Sequence, residues 1–201
     1  MKPFLFATAL ALSANAALAS ATVGQPAPAF TAVDVAGKTV SLADHKGKHV
    51  VLEWVNPGCP YVRKHYDSAN MQATQKEATA QGVVWLAVNS TAPDAGDYKA
   101  PAAMAAWMRD QKAAASTTLM DSDGKIGRAY GARTTPHMYI VNPAGTLVYA
   151  GAIDNKATAS VADIAGATNH VKVALAETLA GKAVSTPSTR AYGCSVKYSS
   201  M

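Results

Sequence analysis

The chain has 201 residues, with 18 Lys and Arg against 13 Asp and Glu, and a formal net charge of +5. The charges are dispersed and no basic run is interleaved with aromatic residues, so the composition argues against nucleic-acid binding. The length fits one domain with a substantial hydrophobic core.

The N-terminus has the pattern of a secretory signal peptide. Lys2 supplies a positive charge, residues 3–18 are mostly apolar, and Ala17-Leu18-Ala19 is a small-residue cleavage site. We therefore predict a signal peptide over residues 1–19 and a periplasmic or secreted mature protein. The alternative, a membrane anchor, is disfavoured because the apolar stretch is shorter than the ~20 residues that a helical span needs.

Hydrophobic periodicity and turn residues predict alternating strands and helices. In chain order we expect a hairpin at 32–35 and 39–42, a buried strand at 49–55, a helix from 59 to about 80, a buried strand at 83–88, a helix opening at 101, a strand at 117–120, a turn at 121–124, a hairpin at 137–141 and 146–150, and a helix at 161–179. The strand-helix-strand unit predicts parallel pairing.

These elements predict one α/β domain over residues 20–181, followed by a tail over residues 182–201. The tail has no helical or strand period, and only residues 193–198 look able to dock. Such a segment must be held by packing or by its cysteine, or it would be mobile.

Cys59 is the best candidate for chemistry. The apolar strand breaks at Pro57-Gly58 and delivers Cys59 to a predicted helix start, where Pro60 suits the first turn. The N–H groups and dipole of a helix N-terminus favour an anion, so the nucleophilic thiolate would form more readily there. The alternative is a buried, inert thiol, which is a common state of free cysteine.

Three motifs carry a family resemblance. Cys-Pro-Tyr-Val at 59–62, Thr134-Thr135-Pro136 ahead of an apolar strand, and Gly-Cys-Ser-Val-Lys-Tyr at 193–198 together resemble the peroxiredoxin-like redoxins of the thioredoxin superfamily, the alkyl hydroperoxide reductase/thiol-specific antioxidant-like branch. The resemblance implies an α/β thioredoxin-like fold, with a central mixed β-sheet flanked by helices and an N-terminal β-hairpin.

The resemblance also implies roles for two further residues. Glu53 lies six residues before Cys59, the interval that separates the buried acid from the first cysteine of thioredoxin, which implies a proton acceptor beneath the thiol. From the strand pattern alone, Glu53 could equally be an acid on a solvated face. Pro136 corresponds to the cis-proline whose loop faces the active cysteine and accepts a substrate backbone.

Cys194 is the second of the chain's two cysteines, so only one intramolecular disulfide is possible, and an oxidising compartment would preserve it. With Val62 where thioredoxin has its second cysteine, Cys194 is a candidate resolving cysteine for Cys59. The alternative is a purely structural disulfide, which could stabilise the fold by up to ~4 to 5 kcal/mol.

We therefore predict an exported thiol-dependent oxidoreductase with no cofactor, acting on a thiol or disulfide protein partner, or on peroxide. One alternative is a peroxiredoxin-type peroxidase, although Asn56 stands where peroxiredoxins have Thr or Ser. Another is a non-catalytic or copper-binding module, in which Cys59 would bind Cu(I) with His65 or His137. His65 is expected to be a partly exposed helix residue.

Overall fold

Runs of β-branched and aromatic residues form the strands of a seven-stranded mixed sheet and a separate two-stranded sheet. The computed structural model describes residues 21–199, so the predicted signal peptide lies outside the described residues. The strands are β1 (Thr31–Asp34), β2 (Thr39–Ser41), β3 (Val50–Trp54), β4 (Val84–Asn89), β5 (Thr117–Met120), β6 (Thr134–Thr135), β7 (His137–Val141), β8 (Leu147–Gly151) and β9 (Cys194–Ser195).

Five α-helices accompany the strands within the described residues. They are α1 (Pro60–Asp67), α2 (Asn70–Ala80), α3 (Pro101–Asp110), α4 (Lys125–Tyr130) and α5 (His170–Leu179). Two of them, α1 and α3, begin at a proline, which has no N–H to leave unpaired in the first turn. None of the helices in residues 21–199 is long and apolar enough to cross a membrane.

The main sheet has the strand order β2-β1-β5-β4-β3-β7-β8. β3 pairs parallel with β4 and antiparallel with β7, and all five of its residues are buried. The predicted central strand, the parallel unit and both hairpins are therefore confirmed.

The two faces of the sheet carry separate hydrophobic cores. Val51 and Val55 of the central region pack with Cys59 and with residues of α1, α2, α3 and α5. Leu52 and Trp54 point to the opposite face, where they pack with α4 and the N-terminal hairpin. Side chains alternate along a strand, so Glu53 shares the face of Val51 and of Cys59.

The single helix predicted from Cys59 to about Ala80 is wrong, because the chain breaks between α1 and α2. Ala69 adopts a left-handed conformation with φ 60°. The Ser68 hydroxyl bonds to the His65 carbonyl at 3.3 Å and accepts from the Asn70 N–H at 3.4 Å. This side chain thus replaces backbone partners that a continuous helix would use.

The helix predicted over residues 161–179 is also interrupted. A 3₁₀ helix spans Val161–Gly166, and α5 begins only at His170. The Asn169 side chain accepts a hydrogen bond from the Lys172 N–H, which is a strong N-terminal capping interaction. The cap therefore fixes the start of α5, three residues after the 3₁₀ helix has ended.

The tail docks earlier than expected, since Val184 packs against the core and the Ser185 N–H donates to the Glu177 carboxylate at 2.8 Å. The Ala150 N–H on β8 donates to the Pro187 carbonyl at 3.1 Å, and the Thr189 N–H donates back to Ala150 at 3.2 Å. Further along, β9 pairs antiparallel with β6. The expectation that only residues 193–198 would dock is wrong, because backbone pairing at an exposed sheet edge needs no periodic sequence pattern.

The left-handed residue between α1 and α2 gives a testable prediction. Ala69 is exposed, so Ala69→Gly should relieve backbone strain and raise the unfolding free energy by roughly 0.5–1 kcal/mol. The matched control is Ala73→Gly at an exposed position inside α2, where glycine should lower it by about 1 kcal/mol. Urea denaturation of the three proteins measures both changes, and equal destabilisation by both variants would contradict the interpretation.

Candidate active site

The turn after β3 presents Cys59 at the start of α1. The Asn56 side-chain oxygen accepts from the Gly58 N–H at 2.7 Å, and the Asn56 carbonyl accepts from the Cys59 N–H at 3.0 Å. Cys59 is the N-cap residue, with Pro60 in the first turn, as predicted. The short polar turn therefore fixes where the helix begins.

The Cys59 sulfur lies in contact with two groups from distant parts of the chain. It is 3.0 Å from the Thr135 carbonyl oxygen and 2.7 Å from the Cys194 sulfur. A disulfide bond would be about 2.05 Å long, so both cysteines are free thiols here. The geometry brings Cys59, Cys194 and the Thr135-Pro136 segment together.

Cys59 and Cys194 differ in exposure and in charge environment. Cys59 is 2% exposed, whereas Cys194 is half-buried. Burial raises the pKa of Cys194 to about 12, and the neighbouring Cys59 adds to this effect. Cys194 is therefore a neutral thiol at pH 7.

The Thr135–Pro136 peptide bond is cis, and the strand before it holds the Cys194 segment. Thr135 pairs with Cys194 in the antiparallel β6–β9 register. Gly193 has φ 134°, and a Cβ there would collide with the Thr135 carbonyl. Only glycine therefore allows this close approach.

Glu53 is 1% exposed, so the alternative of an acid on a solvated face is wrong. Its carboxyl accepts from the Tyr66 hydroxyl at 2.8 Å, the Gln75 amide at 3.0 Å and the Trp85 indole at 2.7 Å. Burial raises the pKa of Glu53, although the three donors oppose the shift. Glu53 lies on the face of the sheet that carries Cys59, and its hydrogen bonds go to these three residues.

Two sets of polar side chains around the cysteines were not predicted from the sequence. On one side, Lys197 pairs with Asp97 at 3.1 Å, and Asp97 accepts from the Asn56 amide at 2.9 Å. On the other side lies a buried cluster of charged and polar side chains, formed by Lys64, His65, Asp154 and Tyr192. The Asn-Pro-Gly turn was a usable signal for Asn56, but nothing local pointed to the others.

His65 is buried, contrary to the expectation of a partly exposed residue. His137 lies elsewhere, and its Nδ1 is 3.2 Å from the Tyr139 hydroxyl. Burial is the main cause that lowers the pKa of each histidine to about 4. Across residues 21–199, no group of three or more His, Cys, Asp or Glu side chains is arranged to hold a metal ion.

Comparison with known proteins assigns most of the chain to a family. The AhpC/TSA family model matches residues 23–150. The chain is 30% identical over 129 residues to thiol-disulfide oxidoreductase ResA of Bacillus subtilis, covering 64% of this chain and 66% of ResA. The aligned part thus spans just under two thirds of that relative.

Solved structures agree with the fold. The thioredoxin domain of a thiol-disulfide oxidoreductase from Bacteroides vulgatus superposes with a TM-score of 0.51 at 28% identity, over 65% of this chain and 89% of that domain. A hypothetical protein from Sinorhizobium meliloti superposes with a TM-score of 0.76 at 23% identity, over 91% of this chain and 98% of the other. The predicted thioredoxin-like fold is confirmed.

The buried carboxyl predicts a pH dependence of stability. Because the folded pKa of Glu53 is raised above its usual 4.5, the folded protein binds the proton more tightly than the unfolded chain does. The stability of the wild type relative to Glu53→Gln should therefore fall as the pH rises above about 4.5. Chemical denaturation of both proteins from pH 4 to pH 8 measures the difference, and a constant difference would contradict the assignment.

Proposed function

The chain belongs to the AhpC/TSA family, and we propose that it is a thiol–disulfide oxidoreductase in which Cys59 is the nucleophile and Cys194 the resolving cysteine. The observation that carries the proposal is the 2.7 Å separation of the two sulfurs. A resolving thiol must reach the sulfur that it attacks, here that of Cys59, and Cys194 is already in contact with it.

The two thiols have different roles in the proposed reaction. Cys59 loses its proton and attacks the substrate disulfide as a thiolate, forming a mixed disulfide and releasing one substrate thiolate, which takes up that proton. Burial keeps Cys194 protonated at this stage. Cys194 then loses its proton and attacks Cys59, which releases the second substrate thiol. The substrate gains two electrons and two protons, and the protein is left with a Cys59–Cys194 disulfide. The reverse sequence oxidises a dithiol.

Two of the relatives support this substrate class. ResA and the Bacteroides domain both carry the name of thiol-disulfide oxidoreductase. The signal-peptide pattern of residues 1–19 supports export from the cytoplasm to a compartment where disulfides persist. We therefore favour a partner protein that contains a disulfide or a dithiol.

The Cys59–Cys194 disulfide is the most direct test. Mild oxidation of the reduced protein should join Cys59 to Cys194, and dithiothreitol should reverse the bond. With a disulfide substrate, Cys194→Ser should accumulate a mixed disulfide at Cys59, because the second displacement is missing. Peptide mapping by mass spectrometry detects both species. A free Cys194 after oxidation would refute the resolving role.

A peroxidase activity is the second candidate, and it is considered because the chain belongs to the AhpC/TSA family. Hydrogen peroxide would oxidise the Cys59 thiolate to a sulfenic acid and release hydroxide, and Cys194 would then condense with the sulfenic acid to the same disulfide and release water. Asn56 stands where peroxiredoxins have Thr or Ser, and its side chain is already hydrogen-bonded to Gly58, Thr91 and Asp97. Stopped-flow measurement of peroxide loss with reduced protein separates the two candidates, since thiol exchange alone would leave hydrogen peroxide unconsumed.

Glu53 is proposed as a proton acceptor for the cysteine pair. Glu53→Gln should slow thiol exchange at neutral pH by about tenfold or more, because the amide occupies the same space but cannot accept the proton. The matched control is Glu77→Gln, because Glu77 is an acid on α2 whose side chain is 56% exposed. Exchange rates across pH 5 to pH 9 are the measurement. Equal rates for the two variants would exclude Glu53 as the base.

A further inference from the structure

The buried charged cluster lies between the helix that starts at Cys59 and the tail that carries Cys194. Lys64 and His65 belong to α1, and they lie five and six residues beyond Cys59. Asp154 follows β8, and Tyr192 precedes Cys194 by two residues. The cluster therefore joins the two cysteine-bearing segments at a point outside the thiols themselves.

The hydrogen bonds in this cluster have a defined direction. The Asn70 amide lies 2.9 Å from His65 Nδ1, which must accept from it, so the proton of the neutral imidazole is on Nε2. His65 Nε2 then donates to the Tyr192 hydroxyl oxygen at 3.2 Å. Tyr192 in turn donates to Asp154 Oδ1 at 2.5 Å. The tyrosine hydroxyl is thus both acceptor and donor.

Tyr192 is also the part of the tail that compensates buried charge. Lys64 and Asp154 are 1% and 2% exposed, and their charged atoms are 3.6 Å apart. The Lys64 ammonium lies 5.6 Å from the centre of the Tyr192 ring, and Asp154 Oδ2 has no hydrogen-bond partner among the described residues. Withdrawal of Tyr192 would remove a charge-assisted hydrogen bond from Asp154 and a cation–π contact from Lys64.

We propose that Tyr192 is a positioning residue that holds Cys194 against Cys59, an inference that rests on the proposed exchange function. One residue, Gly193, separates Tyr192 from Cys194, and its φ of 134° turns the chain toward Thr135. Fixing the Tyr192 hydroxyl on the cluster therefore limits where the Cys194 sulfur can lie. The same helix, α1, therefore positions both cysteines. Cys59 is its N-cap residue, and Cys194 is connected to it through the hydrogen bond between Tyr192 and His65.

The tail offers a matched control on the other side of Cys194. The Tyr198 hydroxyl donates to the Ala132 carbonyl at 2.7 Å, and Arg128 lies 4.8 Å from the centre of its ring. Tyr198 thus makes the same kinds of contact as Tyr192, but its hydroxyl bonds to a neutral carbonyl rather than to a buried carboxylate. Loss of that hydroxyl should disturb the tail much less.

The test compares Tyr192→Phe with Tyr198→Phe in an otherwise unchanged chain. The equilibrium constant for closing the Cys59–Cys194 disulfide is measured against glutathione. Opening of the reduced tail lowers this constant, so Tyr192→Phe should reduce it about tenfold, which makes the potential less negative by ~30 mV. Tyr198→Phe should change it less than twofold. Equal constants for the wild type and Tyr192→Phe would overturn the proposal, even if the melting temperature falls.

A second measurement does not depend on disulfide formation. In a Cys59→Ser background, alkylation of Cys194 reports opening of the tail, and Tyr192→Phe should accelerate it about tenfold. If Tyr192→Phe does not fold, Asp154→Asn is the second variant. The asparagine side chain still offers an oxygen that accepts from the Tyr192 hydroxyl, but this oxygen is neutral and the hydrogen bond is weaker. We then expect alkylation of Cys194 to accelerate by only a few fold. No acceleration in either variant overturns the positioning role. A wild type that forms no intramolecular disulfide would instead refute the proposed function.

Discussion

The contacts of the Cys59 sulfur with the Thr135 carbonyl oxygen and with the Cys194 sulfur are the constraint on which the site depends. Cys59, Thr135 and Cys194 are far apart in the sequence, and they meet because Trp54 pairs with His137 in the antiparallel β3–β7 register. That register places the turn after β3 and the segment before β7 at one edge of the sheet. The tail then needs only a two-residue strand, β9, to complete the site.

Two carboxyl groups, those of Glu53 and Asp154, are buried near the site, and different partners compensate the burial of each. Glu53 has three neutral donors, which satisfy the carboxyl without neutralising its charge, so burial still dominates its pKa. Asp154 has a cation nearby and a tyrosine donor. The side chains of the Lys197–Asp97 pair are 49% and 25% exposed, so solvent screens the ion pair and it contributes little to stability. We therefore expect the buried contacts to contribute more to the stability of the site than this exposed pair does.

Most of the sheet and the start of the site could be predicted from the sequence, because strand periodicity, the Pro-Gly break and Pro60 are local signals. The break at Ala69 could not, because it depends on hydrogen bonds of Ser68 that compete with an otherwise helical pattern. Tail docking escaped prediction for a different reason. It rests on backbone pairing and on contacts with residues that are distant in the sequence, such as Asp154, and neither leaves a periodic pattern. The motif at residues 193–198 located the docking point but not its extent.

A docked tail creates opposing demands on the proposed exchange. Cys59 is 2% exposed, and β9 occupies the edge of β6 beside it, so a partner's sulfur can reach Cys59 only after β9 has separated from β6. Resolution requires the reverse, because Cys194 must return to displace the partner. A tail bound too firmly would block the first step, and a loose tail would slow the second. A short strand with a few hydrogen bonds belongs to the low-stability part of a fold, and anchors beyond it set how often it opens. With the proposed role of Tyr192, the balance between access and resolution is therefore set outside the two thiols, chiefly by the side chain that anchors the tail just before Cys194.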